Sequence, residues 1–363
     1  PVMVFGSTDA TAEDYSVVTI GEDVTLEGYY GLCIQNVTGN VSYGVRIDVD
    51  GTLLGHEDGS LGGVGLYVQG NVKATTGNVP QITIGATAEL RGDHCTTNTN
   101  ENEADGPAVY AAGYAEWTIE DGATFIGDEA MSIKSGKFTI QGGTFIANGT
   151  AYDPATAYGN GSEATGAAIS ITNNNGYART VELTISGGTF TSQNGYALYE
   201  SDTNSQPGSA LKENGISIAG GRFSGELGAV YSKHAEDFIY GGYFSSDPSE
   251  YAATGYAAVS SDDPDYAFMV AEAADTDVAP ATGEPAVDET QLEGLTEEEK
   301  EAVLNAAASV EAEGGELAAA ANGVVGSVEE SQVSEAKSAY KTSGIDGADK
   351  VEDDAINIYA QTY

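Results

Sequence analysis

Four copies of a Gly-Gly-x-Phe signature punctuate the middle of the chain: Gly142-Gly143-Thr144-Phe145, Gly187-Gly188-Thr189-Phe190, Gly220-Gly221-Arg222-Phe223 and Gly241-Gly242-Tyr243-Phe244. A degenerate fifth, Gly122-Ala123-Thr124-Phe125, precedes them. Each follows a short alternating segment: Trp117-Thr118-Ile119, Phe138-Thr139-Ile140, Leu183-Thr184-Ile185, Ile216-Ser217-Ile218 or Phe238-Ile239-Tyr240. The unit reads as strand, glycine turn, strand. Such a unit cannot bury its own apolar face, so its repetition constrains the chain to a stacked architecture.

The phenylalanines are spaced by 20, 45, 33 and 21 residues. With one coil of roughly twenty residues, 45 reads as two coils and 33 as one coil with an insertion, for which 201–208 has loop composition. Weaker relatives of the strand–glycine unit occupy the first hundred residues: Val18-Thr19-Ile20-Gly21, Val45 to Gly51, Leu66 to Gly70 and Ile82-Thr83-Ile84-Gly85.

Stacked coils place equivalent residues in columns about 4.8 Å apart and extend one continuous core. Glycine at a corner supplies positive φ or close backbone approach, and the phenylalanine two residues on stacks upon its counterparts. An antiparallel sandwich also uses short strands and glycine turns, but has no reason to repeat one turn signature in register. The expected fold is therefore mainly β: a parallel β-helix over residues 1–260, right-handed by the usual bias of parallel crossovers. Its structural corners are Gly142, Gly143, Phe145, Gly187, Gly188, Phe190, Gly220, Gly221, Phe223, Gly241, Gly242 and Phe244.

Residues 261–290 read as an acidic Pro/Ala linker. From Leu295 the apolar period becomes helical, with Thr296 and Glu299 as a capping box before Val303, Leu304, Ala307 and Val310. Residues 291–363 thus read as a small helical or mixed module ending in a strand. In that strand Ile356 and Ile358 alternate with Tyr359, and Tyr363 still lies in the pattern. Either another domain follows, or the strand is donated to a neighbouring subunit, as in strand-complemented fibres.

Thirteen Lys and Arg against 56 Asp and Glu give a net charge of -43, which argues against nucleic acid or an anionic membrane as partner. Only Val2 to Phe5 form an apolar start, so neither a signal peptide nor a membrane span is read. The chain begins with Pro1 and reads as a piece processed from something longer.

Local features offer little chemistry. Cys33 lies in a strand-like run and Cys95 in a polar stretch, two or three coils away, which is beyond disulfide reach. His56, His94 and His234 each stand alone in polar loops and read as solvated. The pairs Asp48 with Asp50, and Glu120 with Asp121, have the form of a glycosidase acid and base. With 56 acids in 363 residues such pairs arise by chance, and the basic cluster of a lyase is missing. Arg91-Gly92-Asp93 reads as a turn. No cofactor is expected beyond loosely bound calcium. Most of the 21 tyrosines read as packing, and exposed ones as platforms for sugar rings.

The run Thr184-Ile185-Ser186-Gly187-Gly188-Thr189-Phe190, and the ending Gly241-Gly242-Tyr243-Phe244-Ser245-Ser246-Asp247-Pro248-Ser249-Glu250-Tyr251, resemble the long secreted β-helix repeat surface proteins of gut Firmicutes. The resemblance covers residues 110 to about 260. It implies a right-handed parallel β-helix displayed on a bacterial cell wall or appendage, with adhesion as the usual role and no catalytic residue carried across. The expected function is a non-enzymatic, secreted surface or fibre protein binding a carbohydrate or host-surface ligand. A self-assembling filament subunit and a β-helix polysaccharide lyase or glycoside hydrolase are the alternatives.

Overall fold

A computed structural model describes residues 2–4, 15–34, 44–59, 62–69, 79–95, 106–151, 165–172, 180–201 and 211–273. The described residues are mainly β, with no α-helix among them. The chain divides into two compact units, Pro1–Ala273 and Ala274–Tyr363. The helical module and terminal strand expected over 291–363, with Ile356, Ile358, Tyr359 and Tyr363, lie outside the described residues.

Three sheets of eight, seven and ten strands are filled in rotation from Val2–Val4 to Gly228–Ser232. One circuit shows the rule. Glu116–Ile119 lies in the seven-stranded sheet, Thr124–Gly127 in the ten-stranded sheet and Met131–Ile133 in the eight-stranded sheet. Gly136–Ile140 then returns to pair parallel with Glu116–Ile119. Every strand up to Phe244 pairs in parallel with the strand one circuit away.

Alternation drives this arrangement. In Gly136–Ile140, Phe138 and Ile140 are buried while Lys137 is exposed, as a strand with one buried face requires. One apolar core runs from Val4 through Ile47, Ile84, Ile119, Ile140 and Ile185 to Val270. The phenylalanine column is continuous within it. Phe125, Phe145, Phe190, Phe223 and Phe244 are all wholly buried and stack with ring centroids 4.5, 4.6, 4.6 and 5.1 Å apart.

The corner glycines follow one rule. The second of each pair adopts positive φ: Gly143 at 104°, Gly188 at 106°, Gly221 at 108° and Gly242 at 113°. Side chains avoid this region. The first of each pair passes close to the circuit before it: a Cβ on Gly187 would stand 2.6 Å from the Gln141 carbonyl oxygen.

Phe145 and Phe190 are direct register partners. Their 45-residue separation is therefore one circuit with long excursions, and not the two coils suggested by spacing alone. The excursions leave the chain at sheet corners, where added length leaves strand pairing intact.

Outside the core, the seven-stranded sheet carries a charge ladder in which Arg46, Gln81, Glu116, Lys137 and Glu182 are successive register neighbours. Lys212 Nζ reaches Glu182 at 3.0 Å. Lys137 thus separates Glu116 from Glu182, two like charges on one sheet face.

The last strands reverse direction. Gly242–Phe244 pairs antiparallel with Phe268–Glu272, which pairs antiparallel with Tyr256–Ser260. Phe268–Glu272 lies within the stretch read from composition as linker; Val270 is buried and Phe268 packs against the core. Arg222 pins the connecting loop. Its guanidinium lies over the rings of Tyr243 and Tyr266, 4.7 and 5.0 Å from their centroids. It also donates to Asp263 at 2.5 Å, and this hydrogen bond holds the Asp263 carboxyl below its ordinary range.

Candidate functional site

The outer face of the eight-stranded sheet differs from the other two. One register column there reads Cys33, Tyr67, Tyr110, Ser132, Ser170, Tyr199, Tyr231. The next column, Leu32, Leu66, Val109, Met131, Ile169 and Leu198, faces the core. Tyr110 instead joins a separate cluster with Val64 and Ala112, against which Tyr30 and Tyr67 pack.

The column is an interrupted aromatic ladder. Tyr30, Tyr67 and Tyr110 stack at 4.6 and 5.5 Å, and Tyr199 stacks on Tyr231 at 5.2 Å with Tyr196 tilted alongside. Between the two stacks, two successive strands carry serine. Ser132 and Ser170 are 0% exposed, and their hydroxyls have no hydrogen-bond partner. Leaving a buried hydroxyl unpaired costs about 1–3 kcal/mol.

Two charged side chains are buried close by in sequence. Glu129, three residues before Ser132, is wholly buried. Its Oε1 accepts from the Thr165 amide at 3.0 Å and from the Thr165 hydroxyl at 2.5 Å, whereas Oε2 has no partner. Thr165 itself leads into the strand that carries Ser170. Two residues beyond the serines, buried Lys134 donates through Nζ to the hydroxyl of buried Thr172. The same ammonium stands 5.8 Å from the Tyr110 ring centroid. Tyr30, Tyr67 and Tyr231 keep part of their rings exposed on this face, and such rings can stack on the C–H faces of sugars.

The residues singled out from sequence distribute differently. The Gly-Gly-x-Phe positions are structural, and their phenylalanines point into the core. Asp48 lies in register with Thr19 and Thr83, while the Asp50 carboxylate fills the space left open by Gly85. Glu120 and Asp121 are exposed at a corner, where Asp121 accepts from the Gly143 amide at 3.2 Å. Asp93 of the Arg-Gly-Asp run accepts from the Glu57 amide at 3.0 Å.

The histidines are not simply solvated loop residues. His94 Nδ1 lies 2.8 Å from Asp128, His56 Nε2 3.5 Å from Glu27, and His234 Nδ1 2.9 Å from Glu200. Each pairs with a carboxylate on a neighbouring circuit. Glu200 is wholly buried and also accepts from the Ser232 hydroxyl and the amides of Lys233 and His234, at 2.9, 3.0 and 2.9 Å. This carboxylate fastens the turn after Gly228–Ser232. Cys33 and Cys95 are both buried and no disulfide joins them; desolvation pushes the Cys33 thiol up to about 11.

Among the described residues no three His, Cys, Asp or Glu side chains are grouped to hold a metal ion. Nor is any helix there long and apolar enough to cross a membrane. The described residues define a mainly β protein with parallel sheets. No family profile, curated protein or solved structure matches it.

Proposed function

We propose that this protein is a non-enzymatic, secreted bacterial surface or fibre protein of adhesin type. Its three sheets form a right-handed parallel β-helix that serves both as rigid spacer and as glycan-binding face. The rotation of strands through the three sheets supports the winding. The tyrosine ladder supports the binding face, because Tyr30, Tyr67 and Tyr231 stack within it and keep part of their rings exposed. Tyrosine rings stack on the C–H faces of sugars, while buried polar atoms select hydroxyl patterns.

A glycan array followed by a reducing-sugar release assay tests this reading. Binding to at least one oligosaccharide without release of new reducing ends is expected. Release of reducing ends or unsaturated products would establish a carbohydrate-active enzyme on the same scaffold instead.

Self-assembly is the second reading, favoured by one observation. At one end of the stack Val2, Met3, Val17 and Val24 are exposed, on or beside edge strands with one partner each among the described residues. Such edges are templates for strand addition. Regular polymers seen by electron microscopy of the purified protein would support it, and monodisperse short rods would count against it.

A further inference from the structure

We infer that Asn214 is a site of covalent self-modification, its carboxamide cyclising onto the Gly215 nitrogen and opening with water to aspartate or isoaspartate. Three Asn-Gly pairs fall among the described residues: Asn148-Gly149, Asn194-Gly195 and Asn214-Gly215. Glycine after asparagine leaves the attacking nitrogen unshielded by a side chain, so all three share the chemistry. The fold sets them apart.

Two of the pairs are fastened at corners. The Asn148 and Gly149 amides donate to the carbonyls of Gly127 and Asp128, at 3.0 and 3.1 Å. The Asn194 carboxamide donates to the carbonyls of Asn148 and Gly149, at 3.3 and 2.9 Å, and the Gly195 amide donates to Ser192 Oγ at 2.7 Å. In both pairs the attacking nitrogen is already engaged. Ring closure there requires the corner to open first.

Asn214 stands instead in a bulge. In Leu211–Ile218, Leu211 is in register with Val181 and Ile216 with Leu183, so residues 212–215 lie opposite Glu182 alone. The extra residues of a bulge are left out of the ladder. Asn214 is exposed, and its carboxamide makes no hydrogen bond to another described residue. It takes a φ of 54°, which asparagine tolerates better than most residues. Glycine is fixed beside it: a Cβ on Gly215 would stand 2.6 Å from the Lys212 carbonyl oxygen and 2.9 Å from that of Val181. The close approach that demands glycine thus preserves the reactive pair.

The reaction balances with water as the only co-reactant. A bond forms between the Gly215 nitrogen and Asn214 Cγ as the carboxamide C–N bond breaks and ammonia leaves. Water then cleaves either C–N bond of the cyclic imide. Isoaspartate adds one methylene to the main chain, a length the bulge can absorb and a paired corner cannot. The new carboxylate stands two residues from Lys212, which holds Glu182 at 3.0 Å. It also adds charge to the strand that ends the seven-stranded sheet, and charge on an edge resists addition of a further strand.

Peptide mapping by mass spectrometry of the full chain, held in mildly alkaline buffer made with heavy-oxygen water, tests the assignment. Asn214 should be converted at least about tenfold faster than Asn148 or Asn194, a ratio equal to about 1.4 kcal/mol of local opening. Each converted site should carry one heavy oxygen. In urea the three rates should converge. Asn214→Gln closes the ring less readily and should leave that peptide unmodified, with the unfolding midpoint of the wild type. Equal rates in the native protein, or faster conversion at Asn148 or Asn194, overturn the inference. So does a lead for Asn214 that survives unchanged in urea, because it would then owe nothing to the fold.

Discussion

Replacing Phe190 with alanine should destabilise the protein by about 3–5 kcal/mol, the largest effect expected from any single truncation in the aromatic column. Phe190 is wholly buried and stands between Phe145 and Phe223, 4.6 Å from each ring centroid. Truncation removes both stacking contacts, each worth about 0.5–1.5 kcal/mol beyond area burial, and leaves a void that β-sheet walls on either side cannot collapse to fill. Phe190→Leu retains most of the volume and should cost less than half as much. Chemical denaturation monitored by circular dichroism measures the difference. A cost below about 1 kcal/mol for the alanine variant would mean that the column does not bear on stability. In a stacked protein the loss is felt first by neighbouring circuits, so amide exchange should accelerate most in Thr144–Ala147 and Arg222–Gly225, the strands paired with that of Phe190.

Glu200→Ala is expected to be nearly as damaging, for a different reason. The carboxylate is wholly buried and gathers the Ser232 hydroxyl, two backbone amides and the His234 ring. Removing it deprives two amides and the Ser232 hydroxyl of their carboxylate acceptor. Each buried donor left unsatisfied costs about 1–3 kcal/mol. Glu200→Gln keeps an acceptor but removes the charge, and should recover part of that loss. Thermal unfolding of the two variants should therefore rank alanine below glutamine and glutamine below wild type. Equal midpoints for alanine and wild type would show that the turn after Gly228–Ser232 holds without its anchor.

What the residues disclosed in advance depended on repetition. The phenylalanine column and the positive-φ glycines were legible because the same side chains recur at the same corner, and a column needs like residues to stack. The circuit length between Phe145 and Phe190 is not legible, since excursions at the corners carry no periodic signal. The closing strand Phe268–Glu272 was hidden in a stretch with acidic linker composition, although Phe268, Val270 and Glu272 alternate with Met269 and Ala271. Histidine pairing was invisible for a related reason. The partners lie 29, 34 and 34 residues away, brought together only by the winding.

The candidate site shows the same limit more sharply. Tyr67, Tyr110, Tyr199 and Tyr231 could be counted, but their common column emerges only from strand register. Met131-Ser132-Ile133 and Ile169-Ser170-Ile171 look like ordinary alternating strands. Counting from each corner phenylalanine does not align them either, since Ser132 follows Phe125 by 7 residues and Ser170 follows Phe145 by 25. Glu129 and Lys134 gave no signal, because burial of a charged side chain cannot be read from its neighbours in sequence.

The central claim is that each strand lies beside its counterpart one circuit away, since both the phenylalanine column and the interrupted tyrosine ladder follow from it. Nitroxide labels at Thr144 and Thr189, partly exposed register partners on adjacent strands, test it most directly. Backbones about 4.8 Å apart predict strong dipolar broadening of the continuous-wave spectrum, absent when either label is present alone. A doubly labelled spectrum equal to the sum of the two single-label spectra would contradict the winding, and with it the binding face.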